Sequence, residues 1–340
     1  MSQTSSRPLV GGAMLAAVAT LLVLGTLYIP LFGSVLSFVW PVPIALAYIR
    51  YGGRTALLSL TVVSLLIAIL AGPLQSLTLV LSSGLLALLF GYAILHRMAA
   101  EQTVLLGGLL SIFSILAAFQ LSKWLLNIDI FAEMQRLLQE SFELMARQPW
   151  ASEEYRRLMD EMLLQLPEII EMTIPAMLLM AGVSISYVSY AMTKWILQRL
   201  RVEVPSLPAF RYWQLPRWSV LGVVAGYLLA YAYQVNPIPW YRIVGLNLQF
   251  LFQIIFLIQG MSFAYYMLMR WKVRPALAVV ILAVMGFNPL LGNFLVGIGL
   301  MESLLQYRRI LERTSEQQLD ARNGNDSIKT EKDHEGEDRL

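Results

Sequence analysis

The sequence predicts an all-α membrane protein: a polytopic bundle of about eight to ten transmembrane helices, with an amphipathic helical segment outside the membrane. Two observations predict this class. The 340-residue chain is 57% hydrophobic and only 14% charged, whereas soluble domains carry about 25% charged residues. Apolar runs of about 20 residues, the length that crosses the hydrocarbon, recur along the chain. This composition excludes an ordinary soluble domain and a disordered chain.

The apolar runs place the membrane spans. The last run, 275–305, is too long for one untilted helix, and Pro289 within it removes a backbone donor. Two short half-helices forming a hairpin are expected there, and one long kinked helix is the alternative. The other eight spans are expected at 10–31, 35–49, 55–71, 73–95, 104–126, 169–197, 219–233 and 243–269.

Basic side chains are concentrated on one side of this scheme. With the N-terminus inside, the short outside turns hold almost no basic residue, Arg242 being the exception. This is the bias of the positive-inside rule, and it predicts a multi-pass protein of the cell membrane with both termini in the cytoplasm. The inside loops hold Arg50, Arg54, Arg97, Lys194, Arg199, Arg201, Arg211, Arg217, Arg270, Lys272 and Arg274, and Arg308, Arg309 and Arg313 follow the last half-helix.

The spans and the polar segments between them predict four parts. These are a five-span bundle (1–126), extracytoplasmic amphipathic helices (127–168), a second membrane bundle (169–311) and a disordered cytoplasmic tail (312–340). Ser152 is the expected N-cap of the second amphipathic helix. The two amphipathic helices are expected to lie on the membrane surface or to cover the outer mouth of the bundle, either as an interfacial filler or as a lid.

The chain offers few groups for catalysis. It has no cysteine and only two histidines, His96 and His334, and no Asp falls inside a predicted span. It also lacks a P-loop sequence. We therefore expect no catalytic residues, no metal site, no cofactor and no enzyme activity. A net charge of +3 is too small to indicate a nucleic-acid partner.

Neutral polar residues mark one helix face in the eighth span. Gln249, Gln253 and Gly260 recur at helical spacing, which places two amides and a gap on one face. Amides in hydrocarbon need partners, so this face is expected to point into the bundle. Hydrogen bonding between helices and the lining of a ligand cavity are the two interpretations.

Small residues indicate where helices touch. Gly222 and Gly226 in the seventh span, and Ala13 and Ala17 in the first, follow the small-xxx-small pattern of close helix contacts. Packing within the chain and contact with a partner are both compatible with this pattern.

The segment 199–218 differs from every other loop because it is rich in proline, basic and aromatic. It is expected to be a cytoplasmic connector anchored at the headgroup layer. The alternative is a docking surface for a protein partner, formed by Phe210, Arg211, Trp213 and Trp218.

Several short stretches resemble the YybS-like family, which consists of uncharacterised multi-pass membrane proteins of bacteria. The resemblance runs to about Arg313 and implies a bacterial cell-membrane location. The stretches are Trp40-Pro41-Val42-Pro43, the connector from Leu207 to Trp218, Gly245-Leu246-Asn247 with Gln259-Gly260, and Gly299-Leu300-Met301-Glu302-Ser303 before Arg308-Arg309.

The first half is in turn similar to the substrate-binding S-components of energy-coupling-factor vitamin transporters. Ala13 and Ala17 stand where that family has its contact with a transmembrane coupling protein. The resemblance implies a solute-binding transporter component that works with a coupling protein and its ATPases. The substrate does not carry over, because no vitamin-specific pocket motif matches. A scaffold or regulatory membrane protein that binds protein partners but moves no solute is the alternative.

Overall fold

The computed structural model of the chain describes residues 6–29, 32–148 and 152–311. The chain divides into two compact units, residues 1–207 and 208–340. Leu31, the expected end of the first span, and the tail 312–340 lie outside the described residues. A π-helical turn, Val80–Gly84, joins the fifth and sixth helices of the first unit. The helices of this unit are α1 (Ser6–Tyr28), α2 (Gly33–Val39), α3 (Pro41–Tyr51), α4 (Gly53–Ala71), α5 (Pro73–Leu79), α6 (Leu85–Leu95), α7 (Ala100–Leu126), α8 (Ile130–Ala146) and α9 (Glu153–Arg199).

The second unit begins in the connector with two short 3-10 turns, Phe210–Tyr212 and Arg217–Ser219. Its α-helices are α10 (Val220–Val235), α11 (Pro239–Arg270), α12 (Pro275–Phe287) and α13 (Pro289–Leu305).

The predicted all-α polytopic class is confirmed. Among the described residues, eight segments are long and apolar enough to cross a membrane, or nine if α12 and α13 count as one bent span. The segments coincide with the expected spans to within a few residues, since α2 with α3 and α5 with α6 each form one segment. A protein with these spans is embedded in a membrane and contacts lipid along them.

The stretch 275–305 forms two helices that meet at a bend of 106°. Pro289 is the first residue of α13, where its missing N–H costs no hydrogen bond. The Asn288 side chain caps the same helix by accepting from the N–H groups of Leu290 and Leu291, at 3.0 and 3.1 Å. The structure therefore has the two short helices of the predicted hairpin.

The second amphipathic helix does not lie separately from the sixth span, which corrects the sequence interpretation. Ser152 caps it as predicted, but α9 continues without a break from Glu153 to Arg199. The 29 residues from Glu153 to Ala181 contain no glycine and are mostly strong helix formers, so only Pro167 and Pro175 oppose the helix. A helix of 47 residues is about 70 Å long. Residues 153–169 therefore extend α9 about 25 Å past the span that begins at residue 170.

The helix α8 packs against this extension of α9. Three ion pairs run along α8: Arg136 contacts Glu133 and Glu140, and Arg147 contacts Glu143. The Arg136 guanidinium is hydrogen-bonded to the Glu133 carboxylate and lowers the pKa of that carboxyl. These charged side chains distinguish α8 from the membrane-spanning helices, which are mostly apolar.

Hydroxyl groups join the membrane helices of the first unit. Ser59 on α4 donates to the carbonyl oxygen of Gly12 on α1 at 3.0 Å, and Ser186 on α9 donates to that of Val104 on α7 at 2.8 Å. Such neutral hydrogen bonds satisfy polar groups that hydrocarbon cannot.

The helix α9 belongs to the first unit, although the sequence division begins the second membrane bundle at residue 169. The reason is a close backbone approach between α9 and α7. A Cβ atom on Gly182 would lie only 2.7 Å from the carbonyl oxygen of Gly108. Small residues at this crossing allow the two long helices to pack along each other.

In the second unit, α11 and α13 make the closest helix crossing. A Cβ atom on Gly260 would overlap the carbonyl oxygen of Leu295, and one on Gly299 would overlap that of Phe256. The two glycines therefore let the backbones touch, as small residues do in membrane bundles. Gly297, on the same helix as Gly299, faces open space.

The two environments predict opposite effects of adding one methyl group. Gly260→Ala should lower the free energy of unfolding by about 1–3 kcal/mol, because the backbone of α13 cannot yield. Gly297→Ala is the matched control and should be neutral or stabilising by up to about 1 kcal/mol. Thermal unfolding of the purified variants in one detergent compares them. Equal melting temperatures for the two variants would contradict the crossing.

Candidate functional site

An open groove of about 560 Å³ runs along α13 beside α11. Gly297 lies in its middle, and the absent side chain there leaves the space open. Asn293 and Glu302 lie toward opposite ends, nine residues apart, which corresponds to about 14 Å along a helix. We call this space the α13 groove. Its wall consists of Phe263, Asn293, Phe294, Gly297, Ile298, Met301, Glu302, Leu305 and Tyr307.

One end of the groove holds a buried ion pair. Nε of Arg308 lies 3.2 Å from Oε1 of Glu302, and each side chain is only 1% exposed. The backbone N–H of Tyr307 donates to the other carboxylate oxygen at 3.1 Å. The Arg308 guanidinium also lies 5.5 Å from the centre of the Phe263 ring. A buried charge needs such partners, because its transfer out of water costs several kcal/mol.

Arg308 also holds the connector. Its Nη1 donates to the backbone carbonyl oxygen of Arg211 at 2.6 Å and to Oγ of Ser262 at 3.2 Å. Ser262, on α11, donates in turn to the carbonyl oxygen of Phe210 at 2.6 Å. Gln214 approaches Glu302 at 3.5 Å. The ion pair, α11 and the connector thus form one polar network at this end of the second unit.

The structure separates the three residues of the predicted ligand face. Gln249 donates to the carbonyl oxygen of Gly226 on α10 at 3.0 Å, which is a hydrogen bond between helices. Gly260 lies in the crossing with α13. Gln253 donates to Oδ1 of Asn293 at 3.3 Å, so among the three it bonds to a residue of the α13 groove.

The predicted contact residues also differ in their surroundings. Gly222 lies under the ring of Phe252, and Gly226 lies against Gln249, so both pack within the second unit. Ala13 and Ala17 are exposed on the outer face of α1. The two small-residue motifs are therefore not equivalent, and only the pair on α1 is exposed in the structure.

The predicted docking residues fall into two groups, one packed and one exposed. The Phe210 ring contacts the rings of Trp213 and Tyr265, with centroids 5.4 and 6.1 Å apart. Trp213 donates its indole N–H to the carbonyl oxygen of Pro208 at 2.9 Å. Arg211 and Trp218 are exposed. Half of the predicted surface therefore consists of residues that fold the connector onto itself and onto α11.

Four polar residues of this region are not predicted as site residues by the sequence: Glu302, Arg308, Ser262 and Gln259. Gln259, placed off the predicted stripe, is 3% exposed, and its Nε2 has no hydrogen-bond partner among the described residues. The sequence contains one indication that Glu302 has a special role, because no other acidic residue occurs between 204 and 311.

The groove offers binding rather than acid–base chemistry. Its lining is almost entirely apolar, and its carboxylate is engaged by Arg308 and by backbone N–H groups. Within the described residues, no cluster of three His, Asp or Glu side chains has metal-binding geometry. The arrangement suits a mainly apolar molecule with a polar group at one end.

The burial of the ion pair predicts a strong and asymmetric effect of mutation. Arg308→Met leaves the Glu302 charge buried alone and should lower the free energy of unfolding by about 3–5 kcal/mol. The double variant Glu302→Met, Arg308→Met should recover part of that loss, because neither charge then remains.

Arg309→Met is the control, since the Arg309 side chain is exposed and donates to the side chain of Gln306, three residues earlier. Thermal melting in detergent reads out all four proteins. If Arg308→Met and Arg309→Met melted together, the buried network would be refuted.

Comparisons with known proteins agree with this architecture. Residues 17–303 match the family described as predicted membrane protein (DUF2232). The chain is 27% identical over 296 residues to the uncharacterized protein YybS of Bacillus subtilis (strain 168), covering 84% of this chain and 92% of that protein. No solved structure is significantly similar to the chain. The predicted YybS-like resemblance is confirmed, and the chain belongs to the DUF2232 family of predicted membrane proteins.

Proposed function

We propose that this integral membrane protein is a non-enzymatic, solute-binding component of a transporter, with the α13 groove as its solute site. The observation that supports the proposal is the groove itself. It is about 560 Å³, within the range of small-molecule sites, and it carries polar groups at its two ends and an apolar wall between them. Gln253, a predicted ligand residue, adjoins it through Asn293.

The lining defines the class of solute. An apolar body would contact Phe263, Phe294 and Ile298, and its burial would supply most of the affinity. The amide of Asn293 at one end offers a donor and an acceptor, although Gln253 already uses its oxygen. A free cation or anion is disfavoured, because the Glu302 charge is already neutralised by Arg308.

The exposed face of α1 supports a role for a membrane partner. Ala13 and Ala17 are exposed on α1 as a strip of small side chains, and Met14 and Leu21 on the same helix are 66% and 68% exposed. Small residues allow a partner helix to approach closely. In the S-components that the first half resembles, this position contacts the coupling protein. We therefore assign the partner contact to α1, with the ATPases acting through that partner.

Blocking the groove should remove the solute. Gly297→Trp places an indole in the open middle of the groove, where no atom lies within 4 Å of the Cβ position. Protein purified from native membranes is extracted with solvent, and the co-purifying small molecules are identified by mass spectrometry. We expect at least one mainly apolar small molecule to co-purify with the wild-type protein. Its amount should fall about tenfold or more with Gly297→Trp, which corresponds to a tenfold loss of affinity.

Leu290→Trp is the matched control, because Leu290 lies on the same helix, is 78% exposed and does not line the groove. This variant should retain the molecule. Melting temperatures and gel-filtration profiles of the three proteins establish that they are folded. Identical small-molecule profiles for all three would exclude the groove as the solute site.

Large side chains on α1 should release the partner. Ala13→Trp with Ala17→Trp fills the strip, and we expect a loss of about tenfold or more in the membrane protein recovered with the chain. Quantitative mass spectrometry after affinity purification in mild detergent measures the recovery. Leu58→Trp with Val62→Trp is the control pair, since both residues are exposed on α4 at the same spacing of four. Equal recovery with both pairs would place the contact elsewhere.

A scaffold function is the second candidate, favoured by the exposed side chains of the connector. Arg211, Tyr212 and Trp218 are exposed although hydrogen bonds fix the neighbouring backbone. A rigid backbone that presents basic and aromatic side chains is suited to protein recognition. Recovery of cytosolic or other membrane proteins without any ATPase would favour this function over the transporter component.

A further inference from the structure

A second cleft of about 550 Å³ lies on the other side of α11, between α11 and α12. Met261, Tyr265 and Met269 line it at intervals of four residues and so form one stripe of α11. Leu282 and Ala283 line the facing side of α12. The stripe from residue 261 to residue 269 is about 12 Å long. One leaflet of the hydrocarbon is about 15 Å deep, so the cleft spans most of one leaflet.

Basic residues border this cleft. Arg211 of the connector lines it, and the Phe210 ring contacts the ring of Tyr265 in the middle of the stripe, with centroids 6.1 Å apart. Met269 is followed by Arg270, Lys272 and Arg274, all exposed. No ion pair to these three side chains is present in the part of the chain that the structure describes.

The sequence provides no local counter-charge. Residues 204–301 contain six basic side chains and neither Asp nor Glu. Basic residues beside an apolar cleft between membrane helices complement a molecule with an acyl chain and an anionic head. A zwitterionic lipid or a neutral solute would leave the four cations uncompensated. The charge therefore selects one class of occupant.

We propose that the α11–α12 cleft binds an anionic phospholipid. One acyl chain lies along Met261, Tyr265 and Met269, and the phosphate is held by Arg211 together with Arg270, Lys272 and Arg274. The site is distinct from the α13 groove and does not depend on the transporter proposal. It gives the connector a second role, because Arg211 presents its side chain to the lipid while its carbonyl oxygen accepts from Arg308.

Native mass spectrometry of the full chain with added phosphatidylglycerol or phosphatidylcholine tests the site. We expect preferential retention of phosphatidylglycerol by the wild-type protein. Arg211→Gln with Arg274→Gln should weaken that retention roughly 10- to 30-fold, at about fivefold for each cation removed. Arg211→Lys with Arg274→Lys should retain the preference. Ala283→Trp should weaken the binding of both lipids, because it fills the cleft.

Arg50→Gln with Arg54→Gln is the control, since it removes the same charge from two exposed residues of the first unit. It should leave the preference for phosphatidylglycerol intact. The proposal is overturned if both glutamine pairs act alike, if the wild-type protein shows no preference, or if glycerol phosphate displaces the lipid at equal concentration. It is also overturned if lipid binds only after removal of 312–340, because the tail, with nine acidic and five basic residues, would then be the occupant.

Discussion

The buried guanidinium of Arg308 is the group on which the second unit depends most. A charge buried inside a protein has no access to water, so it must find its partners in the chain. Arg308 meets this requirement through Glu302, Ser262 and the carbonyl oxygen of Arg211. One side chain thereby joins α13, α11 and the connector. The α13 groove lies directly beside this network, which fixes the orientation of its wall without placing a free charge in it.

The same requirement explains which features the sequence predicts well. Spans must be helical, so apolar runs locate the helices to within a few residues. The hairpin at 275–305 follows from Pro289, because proline is favoured in the first turn of a helix. The continuity of α9 was missed, since an amphipathic stripe predicts a helix but not whether that helix bends into the interface. Only tertiary packing decides between these outcomes.

Candidate site residues were less predictable for a related reason. An amide on a buried face needs a hydrogen bond, and the sequence does not say whether a helix or a ligand supplies it. Gln249 bonds to Gly226 of a neighbouring helix, while Gln253, four residues later, bonds to Asn293 in the wall of the groove. The burial of Arg308 could not be read from a basic cluster that resembles an ordinary cytoplasmic anchor. Its network joins residues 46 and 97 positions apart.

The α13 groove and the α11–α12 cleft lie on two sides of α11 and differ in charge, and this difference suits them to different molecules. In the α13 groove the charge of Glu302 is compensated by Arg308, whereas the charged residues beside the α11–α12 cleft are cations. A cryo-electron microscopy map of the protein extracted from native membranes tests the central claim most directly. We predict a compact density in the α13 groove between Asn293 and Tyr307, separate from the surrounding lipid. An empty groove, or an acyl chain continuous with bulk lipid, would contradict a solute site there.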